Sequence, residues 1–450
     1  MGINKRYAIF AICNKEANVF NHKVGPFLYI NQFNHCTHLI RIPLRFFVRL
    51  GKEVGDLPLN VTFVLLSNTG RCGSTLLTQL FEEMPNAVSI SEPEVLMEFS
   101  HEKTFDKFPN ENRYALLQSC IRLLFHSARQ SVKVNTFEEV KNFLIKPKAH
   151  GISIANDLFH LYPNIRHLYM YRHPAEYVRS IRSLYKSLFP KVVYHLLSFT
   201  SFYKWLTNDA FSMNMKEFVV RHIDPRASKT DEENNSFKPI LMDLLEKYDV
   251  EEERHLVQRF AAMFCANILG MFDILSKGNI SIHIVSYHEL KDDTESCMNQ
   301  IYKFCNIKLA ENNNAYSNNV AATSLPHHDS QANSGISRTK LKSYQNVLTE
   351  NEIDTVDNLL QHSGLHACNN FPLQSEKFAF EFGIPHITDL YTKCNAEEPD
   401  YRTSVHHSEY LPETPKKSSK DPYHTFSEQP RIHTFQASNK SIWLPINKFF

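Results

Sequence analysis

Seven residues, Thr69-Gly70-Arg71-Cys72-Gly73-Ser74-Thr75, follow a short apolar run and precede a stretch with helical spacing. Strand, glycine-containing turn and helix together bind phosphate, because backbone N–H groups and the positive helix end point at the anion. Arg71 adds a charge that could stabilise negative charge growing on a leaving group, and Ser74 and Thr75 add hydroxyls. The turn is not a Walker A loop. With Gly73-Ser74-Thr75 laid on the G-K-[ST] ending, Ser74 stands where lysine belongs and the positive charge moves to Arg71. That weakens the Mg²⁺-nucleotide logic of ATP and GTP enzymes. A second anion site is spelled by HLYMYRHPAEYVRSIRS: Arg172 ends a strand, Pro174 opens a helix, and Ser180 lies eight residues after Arg172. Ligands of open α/β sheets bind beyond the carboxyl ends of the strands. Arg172, by a forked charged contact, and Ser180, by its hydroxyl, can therefore meet one phosphate. The alternatives are a ligand-free glycine turn and an Arg172 paired to a nearby carboxylate.

These residues need a frame. Val61–Leu66 is a short run of β-formers and reads as a buried strand, with Leu76, Leu77, Leu80 and Phe81 at helical spacing after the turn. Further strands are expected at Phe143–Ile145, Arg166–Tyr171 and Ile280–Tyr287. Helices are expected from Pro174 to about Lys186 and over Val250–Lys277, Asp293–Phe304 and Leu348–Gln361. Thr349 with Glu352 forms a capping-box pattern for the last. Alternating strands and helices predict an α/β fold in three layers, a mostly parallel sheet with helices on both faces. Residues 1–60 are a mixed lead-in, in which the basic, apolar stretch Arg41–Leu50 reads as a packing helix, with a membrane-surface helix as the alternative. Residues 366–450 are polar and punctuated by proline. They read as a partly disordered tail, although Phe378, Phe380 and Trp443 call for burial.

The two anion motifs together resemble the cofactor signatures of the sulfotransferase superfamily. Thr69–Leu77 (TGRCGSTLL) is similar to its 5′-phosphosulfate loop, in the form seen in tyrosylprotein and carbohydrate sulfotransferases. Tyr171–Ser180 (YRHPAEYVRS) is similar to its 3′-phosphate motif. Ile284–Leu290 (IVSYHEL), followed by a helix ending in Phe304–Ile307, resembles a third element and brings in Tyr287. Asp329–Lys340, with Ser337 and Arg338, loosely resembles the C-terminal cofactor loop. The resemblance spans about residues 61–365. It implies a P-loop-type fold, 3′-phosphoadenosine-5′-phosphosulfate (PAPS) as donor, no metal, and an acceptor side built by a helical insertion at 184–249. It also implies two candidate bases. Glu92, 21 residues after Arg71, stands where the tyrosylprotein and carbohydrate types carry a carboxylate. His150, 22 residues before Arg172, stands where the cytosolic enzymes carry histidine, with Lys148 as the lysine beside the sulfate. The chain departs from the family pattern in carrying Arg71 where the cytosolic enzymes have lysine, and in lacking the Asp of the family's Y-E-D in Tyr287-His288-Glu289-Leu290.

Composition narrows the field. Lys+Arg is 49 and Asp+Glu is 48, a net charge of +1, which argues against a general nucleic-acid binder. Nine scattered cysteines without a C-x-x-C pair suggest neither a disulfide framework nor a zinc site, and His327-His328-Asp329 lacks a third ligand. Without an apolar run long enough to span a membrane or a leader in Met1–Phe20, the chain is expected in the cytoplasm. The Golgi lumen is the alternative, since the phosphate-loop type resembles enzymes found there. Oligomeric state and acceptor, whether glycan, peptide or small molecule, stay open. An inactive sulfotransferase-like binding protein and a P-loop kinase or NTPase are the competing readings.

Overall fold

The computed structural model describes residues 2–3, 7–14, 17–22, 24–84, 86–100, 110–131, 140–188, 253–277, 280–307, 348–382, 384 and 435–436. Five strands, β4 (Thr62–Asn68), β5 (Ala87–Ser91), β6 (Asn142–Lys146), β7 (Arg166–Tyr171) and β8 (Ile282–Ser286), form one sheet in the order β5-β6-β4-β7-β8. Every pairing in it is parallel. This is the α/β architecture expected from the alternation of strands and helices. The strands are almost wholly buried because both faces are covered. In β4, Phe63 and Leu65 join one core while Val64 and Leu66 join the other. The second core is closed by α3 (Ser74–Glu82) through Leu77, Leu80 and Phe81. The helix α10 (Thr294–Cys305) completes it through Met298 and Ile301. The first core is closed by α5 (Asn110–Ser131) and α8 (Glu253–Lys277).

The expected strand and helix positions agree with the structure within a few residues, and Arg166–Tyr171 agrees at both ends. Helix α7 spans Pro174–Leu188, and α11 (Glu350–His362) carries the Thr349–Glu352 capping box. The Thr349 hydroxyl accepts from the Glu352 N–H, and the Glu352 carboxylate accepts from the Thr349 N–H, so two otherwise unpaired helix-end donors are satisfied.

The lead-in has structure of its own. β1 (Gly2–Ile3), β2 (Tyr7–Cys13), β3 (Cys36–Pro43) and β9 (Phe435–Gln436) make an antiparallel sheet, with α1 (Leu28–His35) between β2 and β3. Cys13 and Cys36 face each other across the ladder and are joined by a disulfide, which nothing in the cysteine spacing announced. The stretch expected as one helix from Arg41 divides at Pro43, where β3 ends and α2 (Leu44–Glu53) starts. A proline cannot sit inside the helix without losing a backbone hydrogen bond. Helix α2 packs on α5, burying Phe47. A Cβ on Gly51 would fall 2.5 Å from the Ser119 side chain, so only glycine permits this approach.

Past His362, a short 3₁₀ turn (Cys368–Asn370) and α12 (Ser375–Glu381) lie against the ends of β7 and β8. Tyr171 donates to the Pro372 carbonyl (3.0 Å), the His173 ring bonds the Cys368 carbonyl (2.8 Å), and Glu289 accepts from the Ser375 N–H (3.0 Å). Phe371 and Phe378 pack on Tyr171, and Phe378 is fully buried, whereas Phe380 points outward, 86% exposed. Trp443 lies outside the described residues.

Candidate functional site

Because the strands are parallel and in register, the residue after each strand emerges at one edge of the sheet. The pairings Asn68↔Met170, Ser91↔Lys146 and Tyr171↔Ser286 bring the turn 69–73, Glu92, Lys146, Arg172 and Tyr287 to that edge.

The turn after β4 is held open by its backbone. Gly70, Arg71 and Gly73 all have positive φ (81°, 51° and 85°), which turns successive N–H groups away from ordinary strand or helix directions. Asn68 shapes the entry: its side-chain oxygen accepts from the Gly70 N–H (2.9 Å) and its amide donates to the Pro147 carbonyl (3.4 Å). From beneath, Asn267 on α8 donates to the Thr69 carbonyl (3.4 Å). Gly73 stands directly before α3, and a Cβ there would lie 2.6 Å from the Tyr287 ring. Ser74 is buried at the first position of α3, and Cys72 is fully buried, its thiol pushed up by burial.

Arg71 and Arg172 converge on this turn. Arg71 Nε donates to Ser180 Oγ (3.2 Å), and Arg172 Nη1 donates to the Arg71 carbonyl (3.2 Å). The Arg172 guanidinium lies 4.3 Å from the centre of the Tyr287 ring, at the start of α9 (Tyr287–Asp292), a cation–π contact. Arg172 also takes the nearby carboxylate allowed for it: its Nε donates to Glu176 (2.8 Å), one helical turn on. Glu176 in turn lies 3.5 Å from His288. Among the described residues no carboxylate pairs with Arg71. Burial, then the like charge of Arg172, lowers its guanidinium from the usual value, against smaller support from Glu92.

At the ends of β5 and β6 sits an ion-pair layer. Glu92 adopts φ 55°, a left-handed conformation that costs a side-chain-bearing residue about 1–3 kcal/mol and is held here by its surroundings. Its N–H donates to the Lys146 carbonyl (2.6 Å). The Lys146 ammonium, 1% exposed, returns to Glu92 Oε1 (2.7 Å) and to Ser91 Oγ (3.1 Å). Lys148, expected beside the sulfate, pairs with Glu94 (2.6 Å), and the lysine that reaches Glu92 is Lys146. The signal for Lys146 was a charge closing the apolar strand NFLIK, at the sheet edge where ligands bind. Asn68, Asn267 and Lys146 are thus positioned residues that spacing alone did not single out.

The backbone of His150 lies in the 3₁₀ turn Ala149–Ile154, while its side chain is outside the described atoms. Ser337, Arg338, His327-His328-Asp329 and residues 189–249 also lie outside the described residues. Among the described residues no group of three or more His, Cys, Asp or Glu could hold a metal ion, and no helix is long and apolar enough to cross a membrane.

The fold is α/β, a five-stranded parallel sheet with a strand–glycine turn–helix element in which Ser74 stands where Walker proteins carry lysine and Arg71 lies three residues earlier. Among solved structures, the chain is similar to a sulfotransferase domain from the curacin biosynthetic pathway (12% identity, covering 74% of this chain and 99% of that one, TM-score 0.32). It is also similar to a sulfotransferase from Alicyclobacillus acidocaldarius (11% identity, 66% and 95%, TM-score 0.27) and to mouse sulfotransferase SULT7A1 complexed with PAP (11%, 77% and 92%, TM-score 0.24). No known family pattern and no curated protein matches the chain.

Proposed function

We propose that the chain transfers a sulfuryl group from PAPS to an acceptor hydroxyl or amine. The observation that carries this reading is the convergence of two guanidinium groups on a left-handed turn at a helix start, with Arg71 partly buried and, among the described residues, without a carboxylate. An anion joining this cluster would offset the repulsion between two partly buried like charges. The residues fit a doubly anionic nucleotide. The turn N–H groups, Ser74 and Thr75 would face the 5′-phosphosulfate, and Arg172 with Ser180 would face the 3′-phosphate. Arg172 then exchanges or shares its Glu176 contact.

PAPS supplies an activated sulfuryl group. The acceptor oxygen or nitrogen bonds to sulfur as the bond from sulfur to the bridging phosphate oxygen breaks, and 3′,5′-adenosine bisphosphate leaves. Arg71 and the turn donors stabilise charge on the leaving oxygen. Glu92 is the preferred base. Lys146 fixes one of its oxygens, and Oε2 has no hydrogen-bond partner among the described residues, so it is free to take the acceptor's proton. His150 is the alternative base. A kinase or NTPase reading would place a Mg²⁺-binding carboxylate at the end of a strand beside the phosphate turn. Here β6 ends in Lys146 and β7 leads into Arg172, while Glu92, at the end of β5, is tied to Lys146.

The test is calorimetric titration with 3′,5′-adenosine bisphosphate, ADP and Mg-ATP. Preference for the 3′-phosphorylated ligand without metal is expected. Preference for Mg-ATP overturns the reading in favour of the kinase class, and binding of none of the three favours a non-catalytic fold.

A further inference from the structure

Arg172 shares its carboxylate with a second nitrogen base. Glu176, on α7, uses one oxygen for both: Oε2 accepts from Arg172 Nε at 2.8 Å and lies 3.5 Å from His288 Nε2, on α9. Because both groups meet the same oxygen, a stronger hold by one loosens the other. His288 Nε2 is shielded from water and makes no hydrogen bond among the described residues, so the charge it faces is that of Glu176. The start of α9 holds the ring in place. The His288 N–H donates to Ser286 Oγ at 3.2 Å, and the imidazole meets the Tyr287 ring edge-on at 6.0 Å. Tyr287 is the same ring that lies 4.3 Å from the Arg172 guanidinium. We propose that His288 is a positioning residue for Arg172: protonated, it takes over Glu176 Oε2 and releases Arg172 Nε to an anion, so that binding of a 3′-phosphorylated nucleotide is coupled to proton uptake.

The inference rests on the nucleotide site proposed above. Burial pushes the Glu176 carboxyl up, but Arg172 foremost, then His288 and Arg179, hold it below its usual value overall. It is therefore ionised near neutral pH and calls for a cation. When a phosphate draws the Arg172 guanidinium away, a partly buried carboxylate is left beside an incoming negative charge. His288 restores the balance by taking a proton from solvent, which places a positive charge on the ring facing Oε2. The other charged groups nearby are engaged elsewhere. Arg179, further along α7, is exposed and adds a smaller attraction. Glu289, beside His288 on α9, accepts from the Ser375 N–H at 3.0 Å, and Lys377 on α12 pairs with Glu381 at 3.7 Å. Asp293, between α9 and α10, accepts from the Ser296 N–H at 3.0 Å. The sign follows from linkage. Binding strengthens the hold of His288 on its proton, so nucleotide affinity is highest where His288 is charged and falls as pH rises through its titration.

The experiment is calorimetric titration of the full-length chain with 3′,5′-adenosine bisphosphate from about pH 5 to about pH 8, wild type against His288→Gln. The ligand's phosphates themselves titrate near about pH 6. The quantity read is therefore the ratio of wild-type to variant affinity at each pH, in which the ligand's own titration cancels. That ratio should be about three- to tenfold higher at the acid end than at the alkaline end. Proton NMR of the wild type reads the same coupling without relying on a folded variant. Saturating nucleotide should move the titration of the His288 ring upward by about half to one pH unit. A ratio that stays flat with pH, or a His288 titration unmoved by bound nucleotide, overturns the inference and leaves the nucleotide reading standing. Nucleotide binding at no pH overturns both.

Discussion

Gly73→Ala is the sharpest perturbation of the turn after β4, because two separable costs meet at one atom. Gly73 has φ 85°, a conformation that penalises any Cβ by about 1–2 kcal/mol. The added Cβ would also lie 2.6 and 2.8 Å from two carbons of the Tyr287 ring and 3.3 Å from the Met170 methyl. The flexible methionine end can yield, but the ring cannot move without leaving the Arg172 guanidinium 4.3 Å away. Overpacking of this kind costs about 1–3 kcal/mol, so the substitution should destabilise by roughly 2–5 kcal/mol in all. It should also weaken 3′,5′-adenosine bisphosphate binding at least about tenfold, since displacing Tyr287 unseats Arg172. Urea denaturation and calorimetric titration of four proteins would measure both effects: wild type, Gly73→Ala, Tyr287→Ala and the double variant. With the ring gone, only the backbone cost remains, so Gly73→Ala should cost about 1–2 kcal/mol in the Tyr287→Ala background. An equal cost in both backgrounds would refute the packing of Tyr287 on the turn, and with it the route by which Tyr287 joins the two anion motifs.

Four further outcomes are expected. Arg172→Ala should weaken 3′,5′-adenosine bisphosphate by about 1.5–3 kcal/mol, roughly ten- to hundredfold, in the same titration; unchanged affinity would remove Arg172 from the site. Glu92→Gln should lower sulfuryl transfer by about 10²–10⁴ while nucleotide affinity holds, and an unaffected rate would move the base to His150 or elsewhere. Lys146→Met should destabilise more in the presence of Glu92 than in a Glu92→Gln background, because the first leaves a carboxylate without its buried partner; equal costs in urea denaturation would argue that the pair is not formed. Glu352 is pushed upward by burial but held lower overall, below its usual 4.5, by the Thr349 N–H and Arg182. A depressed carboxyl adds stability above its unfolded value and loses it as pH falls through the folded one, so stability should drop below about pH 4.5. Glu352→Gln should flatten that part of the pH–stability curve, and an unaltered slope would count against it.

The elements legible in the sequence were those whose apolar runs are unbroken and bounded by turn residues. Thr62–Asn68 and Arg166–Tyr171 are buried on both faces, each carries an unbroken run of four apolar or aromatic residues (FVLL and LYMY), and Gly70 and Pro174 mark their ends. Strand β5 escaped because Ala87–Ser91 (AVSIS) alternates with serine and looks too polar to be buried. Its serines are buried through side-chain partners outside the strand, Ser89 donating to Glu82 (2.6 Å) and Ser91 accepting from Lys146, 55 residues on. The same contacts explain why Lys146 was hidden: a lysine reads as a surface residue until the carboxylate and the aromatic ring that surround it are known. The rings of Phe27 and Tyr29 lie over Lys146 (5.0 Å) and Lys148 (4.8 Å), more than 100 residues on, a juxtaposition that no local periodicity encodes. The arginines were legible because their role depends on position at a strand's end, and strand ends are local.

The strap formed by Cys368–Asn370 and α12 has a consequence for how the chain is made. Tyr171 and His173 bond carbonyls 201 and 195 residues further on, and Ser286 bonds the Leu373 carbonyl 87 residues on. During synthesis, β4, the turn after it and Arg172 leave the ribosome long before these partners exist. The nascent chain must therefore carry a half-finished sheet edge, with the Tyr171 ring awaiting Phe371 and Phe378, until translation has passed Glu381. Chaperone demand should peak in that interval, and a ribosome stalled before Cys368 should present a chain that proteases still cut at the ends of β7 and β8.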